Sequence, residues 1–332
     1  AMTRGVPIVK VGVIHPVESF WLHWGPNDKS GLFRDELDKN FQELTKWLIF
    51  GSIDFDFISE SLLPELCPQA DAPLRVGEMK YDVMVVPGCE TLRSSTLERL
   101  EKFRADGGRV IFLGEAPTLE NAQPSDRGAR LFASSENIPY QRASLLTALD
   151  SERSVCIRDE DGYLSDGLIY QLREDTDSLW LFVAHGVEPY DCNITNHDDI
   201  KITVKGEYSP VIYDTLSGEL KPAQFDYLNG DTVISARLFD FDSLLLRLYN
   251  GRSERQYAEP KKLEDKEILV PYETEYELDE PNVMLLDMAR FALDGDELSK
   301  HEEELLRADN ICREKLGFPL RSGAVMQPWV IH

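Results

Sequence analysis

No stretch of this 332-residue chain approaches the roughly 20 consecutive apolar residues that a membrane-spanning helix needs. Basic charge is scarce as well. Against 60 Asp and Glu stand only 35 Lys and Arg, for a formal net charge of −25. Such a surface repels phosphate backbones and anionic headgroups, so no nucleic acid and no membrane is expected as a partner. Cysteine is sparse: positions 67, 89, 156, 192 and 312 form an odd, scattered set without CxxC spacing. They read as free thiols in a reducing compartment rather than a disulfide framework or a zinc site. The opening Ala1-Met-Thr-Arg-Gly5 carries no signal-peptide core, so the expected location is cytoplasmic. Nucleotide and metal fingerprints of the GxGxxG, GxxxxGK[ST] and HExxH kinds are missing too, and neither cofactor nor metal is expected. An eightfold strand–helix pattern, the mark of a catalytic barrel, is not found either.

What is present is a chain with 42% hydrophobic residues, long enough for two or three domains. The clearest stretch runs from Tyr81 to Pro117. Val83 to Val86 is a short β-branched run closed by Pro87-Gly88, as expected of a strand buried on both faces. Thr91 to Arg104 places Leu92, Leu97, Leu100 and Phe103 near helical spacing, with Ser94 or Ser95 as N-cap. Gly107-Gly108 stops that helix, and Arg109 to Leu113 is the next buried strand. Strand, helix, strand at this period is a parallel, right-handed βαβ unit. Earlier, Ile8 to Ile14 and Ile53 to Ile58 read as strands, with a helix over Gly31 to Phe50 between them. That helix carries Leu32, Phe33, Leu37, Phe41, Leu44, Trp47 and Leu48 on one stripe. His15 to Asp28 exceeds an ordinary βα turn of about 2–6 residues and is expected to be a long loop. Asn121 to Gly128 reads as a loop, Ile138 to Tyr140 as a short strand and Arg142 to Leu149 as a short helix.

From Ser154 the period changes. Short strands are expected at Val155 to Ile157, Leu168 to Leu172, Leu179 to Ala184, Ile200 to Val204, Val211 to Tyr213, Thr232 to Leu238 and Ser243 to Leu248. Asp161-Gly162, Ser217-Gly218 and Asn229-Gly230 mark turns between them. Consecutive strands without helices indicate an antiparallel sandwich. The expected fold is thus an α/β parallel-sheet domain over 1–150, an all-β antiparallel sandwich over 151–254, and a linker, strand and helical tail over 255–332. The tail is assigned a strand at Val270 to Leu278 and helices at Val283 to Leu293 and Leu298 to Leu316. Its last residues, Gln327-Pro-Trp-Val-Ile-His332, are expected to lead toward a further module.

Val9-Lys-Val-Gly-Val-Ile-His-Pro16, Tyr81-Asp-Val-Met-Val-Val-Pro-Gly88 and Gly107-Gly-Arg-Val-Ile-Phe-Leu-Gly114 resemble the flavodoxin-like, class I glutamine-amidotransferase-like superfamily. The nearest likeness is to the version found as a middle domain, including a trimerisation domain, in β-galactosidases. Segments His15 to Gly25, Asp56 to Pro64, Pro87 to Leu92 and Asp279 to Val283 resemble the region downstream of the catalytic barrel in large bacterial glycoside hydrolases, α-L-rhamnosidase-like ones included. The resemblance implies an accessory, non-catalytic region. Its expected partners are the catalytic barrel of the same enzyme or a neighbouring subunit, a carbohydrate, and other copies of the chain in a homo-oligomer.

Several residues are candidates for chemistry. Cys89, after the Pro-Gly turn, would be the nucleophile of a free-standing amidotransferase-like hydrolase. The resemblance, however, puts the nucleophile after the next strand, where this chain has Gly114-Glu115-Ala116, and the stretch from there to Asp150 has no His. Glu115 is therefore a weak candidate by itself. His15, Glu18 and His23 do not match metal-ligand spacing. Asp54 and Asp56, two apart on one strand, have spacing that permits a carboxylate pair. Glu273, Glu275 and Glu277 alternate similarly, as a solvated face would. The favoured site is the segment holding His15, Glu18, Phe20, Trp21, His23, Trp24, Asn27 and Asp28. Aromatics interleaved with hydrogen-bonding groups suit stacking on sugar rings, or the rim of a neighbouring active site. The competing reading is a packed loop or domain interface anchored by the same aromatics, and a carbohydrate-binding protein is a further alternative.

Overall fold

The computed structural model describes residues 1–189, 195–253 and 287–321, and Leu269, Glu275 and Glu277 singly. Cys192, most of the linker read at Arg252 to Glu267 and of the strand assigned to Val270 to Leu278, Glu273, and the segments Asp279 to Val283 and Gln327 to His332 lie outside the described residues. The chain packs as two compact units, Ala1–Lys261 and Lys262–His332.

The first unit opens with β1 (Val6–Pro7), β2 (Val11–Ile14), α1 (Val17–Leu22), α2 (Asn27–Ile49), β3 (Phe55–Ile58) and α3 (Leu63–Leu66). A hairpin of β4 (Leu74–Val76) and β5 (Met79–Tyr81) precedes β6 (Val83–Pro87), β7 (Thr91–Leu92), α4 (Ser94–Ala105) and β8 (Arg109–Leu113). β9 (Leu119–Glu120), β10 (Gln123–Pro124), α5 (Arg127–Ala133), β11 (Glu136–Ile138) and α6 (Arg142–Ala148) complete this half. Five strands form one parallel sheet in the order β3-β2-β6-β8-β11. Numbered along the chain, that is 2-1-3-4-5, so the direction of winding reverses between β2 and β6.

The period-2 geometry of the strands divides their residues between two cores. Met84, Val86, Val110 and Phe112 face α4 and α5 through Leu97, Leu100, Phe103 and Leu131. Val83, Val85, Ile111 and Leu113 face α2 and α6 through Leu44, Leu48, Leu145 and Leu146. Both faces are covered, which is why these strands read as unbroken apolar runs.

Several local expectations are corrected. His15 to Asp28 is not a long loop, because α1 and the start of α2 occupy most of it, with Gly25-Pro26 as the break. The helix expected from Thr91 begins at Ser94, and Thr91–Leu92 instead pairs in parallel with β9. Neither Ser94 nor Ser95 caps it from the N-cap position, which Arg93 holds without a side-chain bond. The Glu60 carboxylate accepts the Arg93 amide at 2.8 Å and the Asn121 Oδ1 accepts the Ser94 amide at 3.1 Å. The loop expected at Asn121 to Gly128 contains β10 and the start of α5. On α2, Leu44 and Leu48 are fully buried, whereas Leu32 is 90% exposed. At about 1.5 Å per residue this 23-residue helix outruns the four-residue strands beneath it, so its first turns overhang the sheet.

β12 (Val155–Arg158), β13 (Leu168–Glu174), β14 (Ser178–His185), β15 (His197–Val204), β16 (Tyr208–Tyr213), β17 (Leu220–Pro222), β18 (Gln224–Leu228), β19 (Asp231–Phe239) and β20 (Ser243–Asn250) follow. They form two antiparallel sheets, β1-β13-β14-β20-β16-β17 and β12-β15-β19-β18. Leu181, Val183, Leu246 and Leu248 from one meet Ile157, Ile200, Ile202 and Ile234 from the other in a shared core. β1, at the start of the chain, pairs with β13 at the edge of the six-stranded sheet.

In the second unit, β21 (Met288–Ala289) pairs with β22 (Glu303–Glu304), and α7 spans Leu305–Leu316. The helix expected from Leu298 therefore begins seven residues later, because Glu303 and Glu304 are held in a strand and Glu304 is the N-cap. Of the helix expected at Val283 to Leu293, the described part contains a strand instead. Gly317 ends α7 at φ +73°, a left-handed position suited to glycine.

Candidate functional site

A cavity of about 840 Å³ opens at the C-terminal ends of the parallel strands. Its floor is made where β6 and β8 end. Gly88 and Gly114 both have positive φ, +52° and +92°, and a Cβ on either would come within 3.4–3.6 Å of the Tyr140 ring. Glycine at these strand ends lets Tyr140 lie across them. The Tyr140 hydroxyl donates to the Asn40 carbonyl at 2.8 Å, which ties the end of β11 to α2. Burial pushes this phenol well above its usual range, so it stays protonated.

The remaining walls come from the end of β2, from α1 and from α2. His15 follows β2 directly, and its ring packs edge-on to Phe41 at 5.1 Å and Phe57 at 5.8 Å between centroids. Burial lowers its pKa, so the imidazole is neutral at pH 7. Phe20 and Val17 from α1, Leu37 and Phe41 from α2, and Pro87, Ile138 and Pro139 supply apolar surface. Asp38, Asn40, Glu115 and Asn137 supply polar groups. Asp38 accepts from Gln42 at 2.7 Å. Among the described residues, neither Lys nor Arg lines the cavity.

Of the sequence candidates, His15, Phe20 and Glu115 are brought together here. The others have different surroundings. Glu18 forms an ion pair with Arg93. His23 meets Glu90 at 2.5 Å and its ring lies 4.1 Å from that of Phe33. Trp24 is 70% exposed and carries the Arg34 guanidinium over its ring at 4.9 Å. Asn27 accepts a hydrogen bond from the same Arg34, and Asp28 stands exposed in the first turn of α2. His15, Glu18 and His23 thus each have a different partner, and among the described residues no group of three metal-ligating side chains gathers.

Cys89 is buried, with its thiol directed at the Pro87 carbonyl at 3.6 Å. Burial, reinforced by the nearby Glu60 carboxylate, pushes its pKa well above the usual thiol value. A thiol so held is not a thiolate near neutral pH, and it does not line the cavity. Asp56 accepts the Tyr81 hydroxyl at 2.8 Å, and burial together with Asp56 raises Asp54 to about 7.

Tyr140, Asn137, Asp38, Asn40 and Phe41 were not singled out from the sequence. Tyr140 and Asn137 flank the end of a strand, where open α/β sheets place ligands, and that rule alone would have found them. Nothing local distinguishes Phe41 from the core positions of its own stripe; only the docking of α2 beside the end of β2 brings it to the cavity.

No protein-family model matches this chain, and no curated protein matches it. Among solved structures it is similar to a rhamnosidase from Novosphingobium sp. PP1Y, at 14% identity and a TM-score of 0.48 over 64% of this chain and 21% of that one. It is also similar to α-L-fucosidase isoenzyme 2 from Paenibacillus thiaminolyticus, at 12% identity and a TM-score of 0.46 over 74% of this chain and 49% of that one. A β-galactosidase from Bacillus circulans sp. alkalophilus matches at 14% identity and a TM-score of 0.45, over 72% and 41% of the two chains. These neighbours are glycoside hydrolases at low identity, and this chain spans less than half the length of each.

Proposed function

We propose that the chain is an accessory region of a glycoside hydrolase and that it holds a neutral saccharide in the cavity at the strand ends. In this reading residues 1–150 are a flavodoxin-like domain, 151–254 a β-sandwich and 255–332 a tail leading toward a further module. The strand order 2-1-3-4-5 supports the first assignment, since that order places its ligand where the winding reverses, between β2 and β6. The shared core of the two antiparallel sheets supports the second. Partners in this reading are the catalytic barrel of the same enzyme or a neighbouring subunit, and further copies of the chain.

The observation that carries the ligand assignment is the lining of the cavity. Phe20 and Phe41 offer apolar surface to the C–H face of a pyranose, and His15, Asp38, Glu115 and Asn137 offer donors and acceptors to its hydroxyls. The 840 Å³ lie within the range of small-molecule sites. An anionic ligand such as a phosphate would meet the Asp38 and Glu115 carboxylates, with no Lys or Arg among the described lining residues to balance it. Isothermal titration calorimetry with galactose, rhamnose, fucose and their disaccharides is the direct test. Saturable binding, weakened at least tenfold by Phe20→Ala and by Glu115→Gln, is expected. Binding of sugar phosphates in preference to neutral sugars would sink the assignment.

A further inference from the structure

α1 has a second working face. Away from the cavity, Glu18 and Trp21 line a separate groove of about 380 Å³ together with Thr91, Arg93, Asn121 and Ala122. Trp21 is 60% exposed there. The Arg93 Nε donates to Glu18, and the side chains of the pair are 37% and 19% exposed. Guanidinium and carboxylate thus remain within reach of a ligand.

The groove is held rigidly from beneath. Ser19, itself buried, accepts the Glu90 amide at 3.0 Å and the Thr91 amide at 3.2 Å, clamping α1 onto the strand that leads to Arg93. The Arg93 amide is fixed by Glu60. On the far side, Asn121 and Ala122 both have left-handed backbones, at φ +49° and +62°. Two successive residues with positive φ form the tight turn that joins β9 to β10. The Asn121 side chain bonds Ser94 through its amide nitrogen and oxygen at 3.0 and 3.1 Å, and the Ala122 amide donates to Thr91 Oγ1 at 3.0 Å.

We propose that this groove is a second saccharide subsite, in which one pyranose ring lies against Trp21 and two adjacent hydroxyls bridge the Glu18–Arg93 pair. Each sugar hydroxyl is both donor and acceptor. A carboxylate next to a guanidinium offers both partners side by side, and the planar fork of arginine suits a vicinal diol. The pair has no net charge, so it favours an uncharged ligand over an acid. The indole supplies the apolar face that the ring carbons require. The subsite rests on the saccharide reading of the main cavity for its ligand class, but its residues are separate, so the failure of one can be told from the failure of the other.

The test is titration of the full chain with galactose, rhamnose and their methyl glycosides, followed by tryptophan emission and saturation-transfer NMR. Trp21→Ala is expected to abolish one binding event and its emission change, and Arg93→Gln to weaken it at least tenfold. Phe20→Ala, in the main cavity, leaves that event intact. Circular dichroism of each variant confirms that the fold is kept. The proposal is overturned if neutral sugars give no Trp21-dependent signal up to 50 mM, roughly the weakest affinity of interest on the millimolar scale, or if galacturonate binds more tightly than galactose. Sedimentation velocity supplies a further overturning result, namely self-association that Trp21→Ala removes, which would make the groove a contact between copies. Loss of binding confined to Phe20→Ala supports the cavity and overturns the subsite; the reverse pattern does the opposite.

Discussion

At the residue scale, Asp54 carries a pH lever. Its pKa moves from 3.8 to about 7, chiefly through burial and secondarily through Asp56, against the Phe55 amide that bonds its carboxylate. A folded pKa above the unfolded one means that the group's contribution is complete below about pH 4, where both states hold the proton. It is lost as pH rises toward 7, because the unfolded chain ionises first. Asp54→Asn should therefore raise the melting temperature, with a gain that grows between pH 4.5 and 7 and then levels off. An equal gain at pH 4.5 and 8 would show that burial does not govern this carboxyl. Cys89 is a second residue-scale test. Alkylation of the native protein with iodoacetamide at pH 8, mapped by mass spectrometry, should label the half-buried Cys156 and Cys312 and spare Cys67 and Cys89. Preferential labelling of Cys89 would restore it as a nucleophile.

Among elements, α1 matters most to the site and was the least legible. It is six residues long, follows a proline, and ends before Gly25-Pro26, so its sequence carries the marks of a loop. Its helical state is fixed from outside, by the Ser19 clamp, the ion pair Glu18–Arg93 and the hydrogen bond between His23 and Glu90. Ser19→Ala leaves two amides of the Glu90–Thr91 segment without their acceptor. Such a loss costs about 1–3 kcal/mol, and a clear fall in the urea midpoint should report it. A midpoint unchanged within error would mean that the clamp is not needed. The strands β6 and β8 and the helix between them were legible because each is specified locally, by β-branched runs, a helical stripe and terminal glycines. The cap of α4 was not, since its acceptors lie 33 and 27 residues away at Glu60 and Asn121.

Taken whole, the parallel sheet and the two antiparallel sheets belong to one compact unit. Arg153 lies at the junction, 8% exposed, donating to the Gly51 carbonyl at 2.8 Å and pairing with Asp150. Ser52 Oγ accepts the Ile157 amide, and β1 joins the start of the chain to β13. These ties predict that both parts unfold together. Hydrogen exchange in rising urea should show peptides around Val83–Pro87 and Ser178–His185 losing protection at one midpoint. Arg153→Ala should lower that midpoint for both, as the carbonyls left unpaired reduce the unfolding free energy by about 1–3 kcal/mol. Two separated midpoints in the unaltered chain would refute the coupling.

The sequence by itself determined the main strands and helices of the parallel sheet, and the change from βα alternation to consecutive strands near Ser154. Those properties follow from spacing and from turn residues, both of which are local. Only the tertiary structure decided which side chains share a site. The cavity gathers residues from 15 to 41, 87 to 88, 114 to 115 and 137 to 140, segments made adjacent by parallel crossovers. It also divided one aromatic stretch between two faces of α1, turning Val17 and Phe20 toward the cavity and Glu18 and Trp21 toward the groove. The physical reason is that a helix turns by about 100° per residue, so neighbours in sequence part company once the helix is docked.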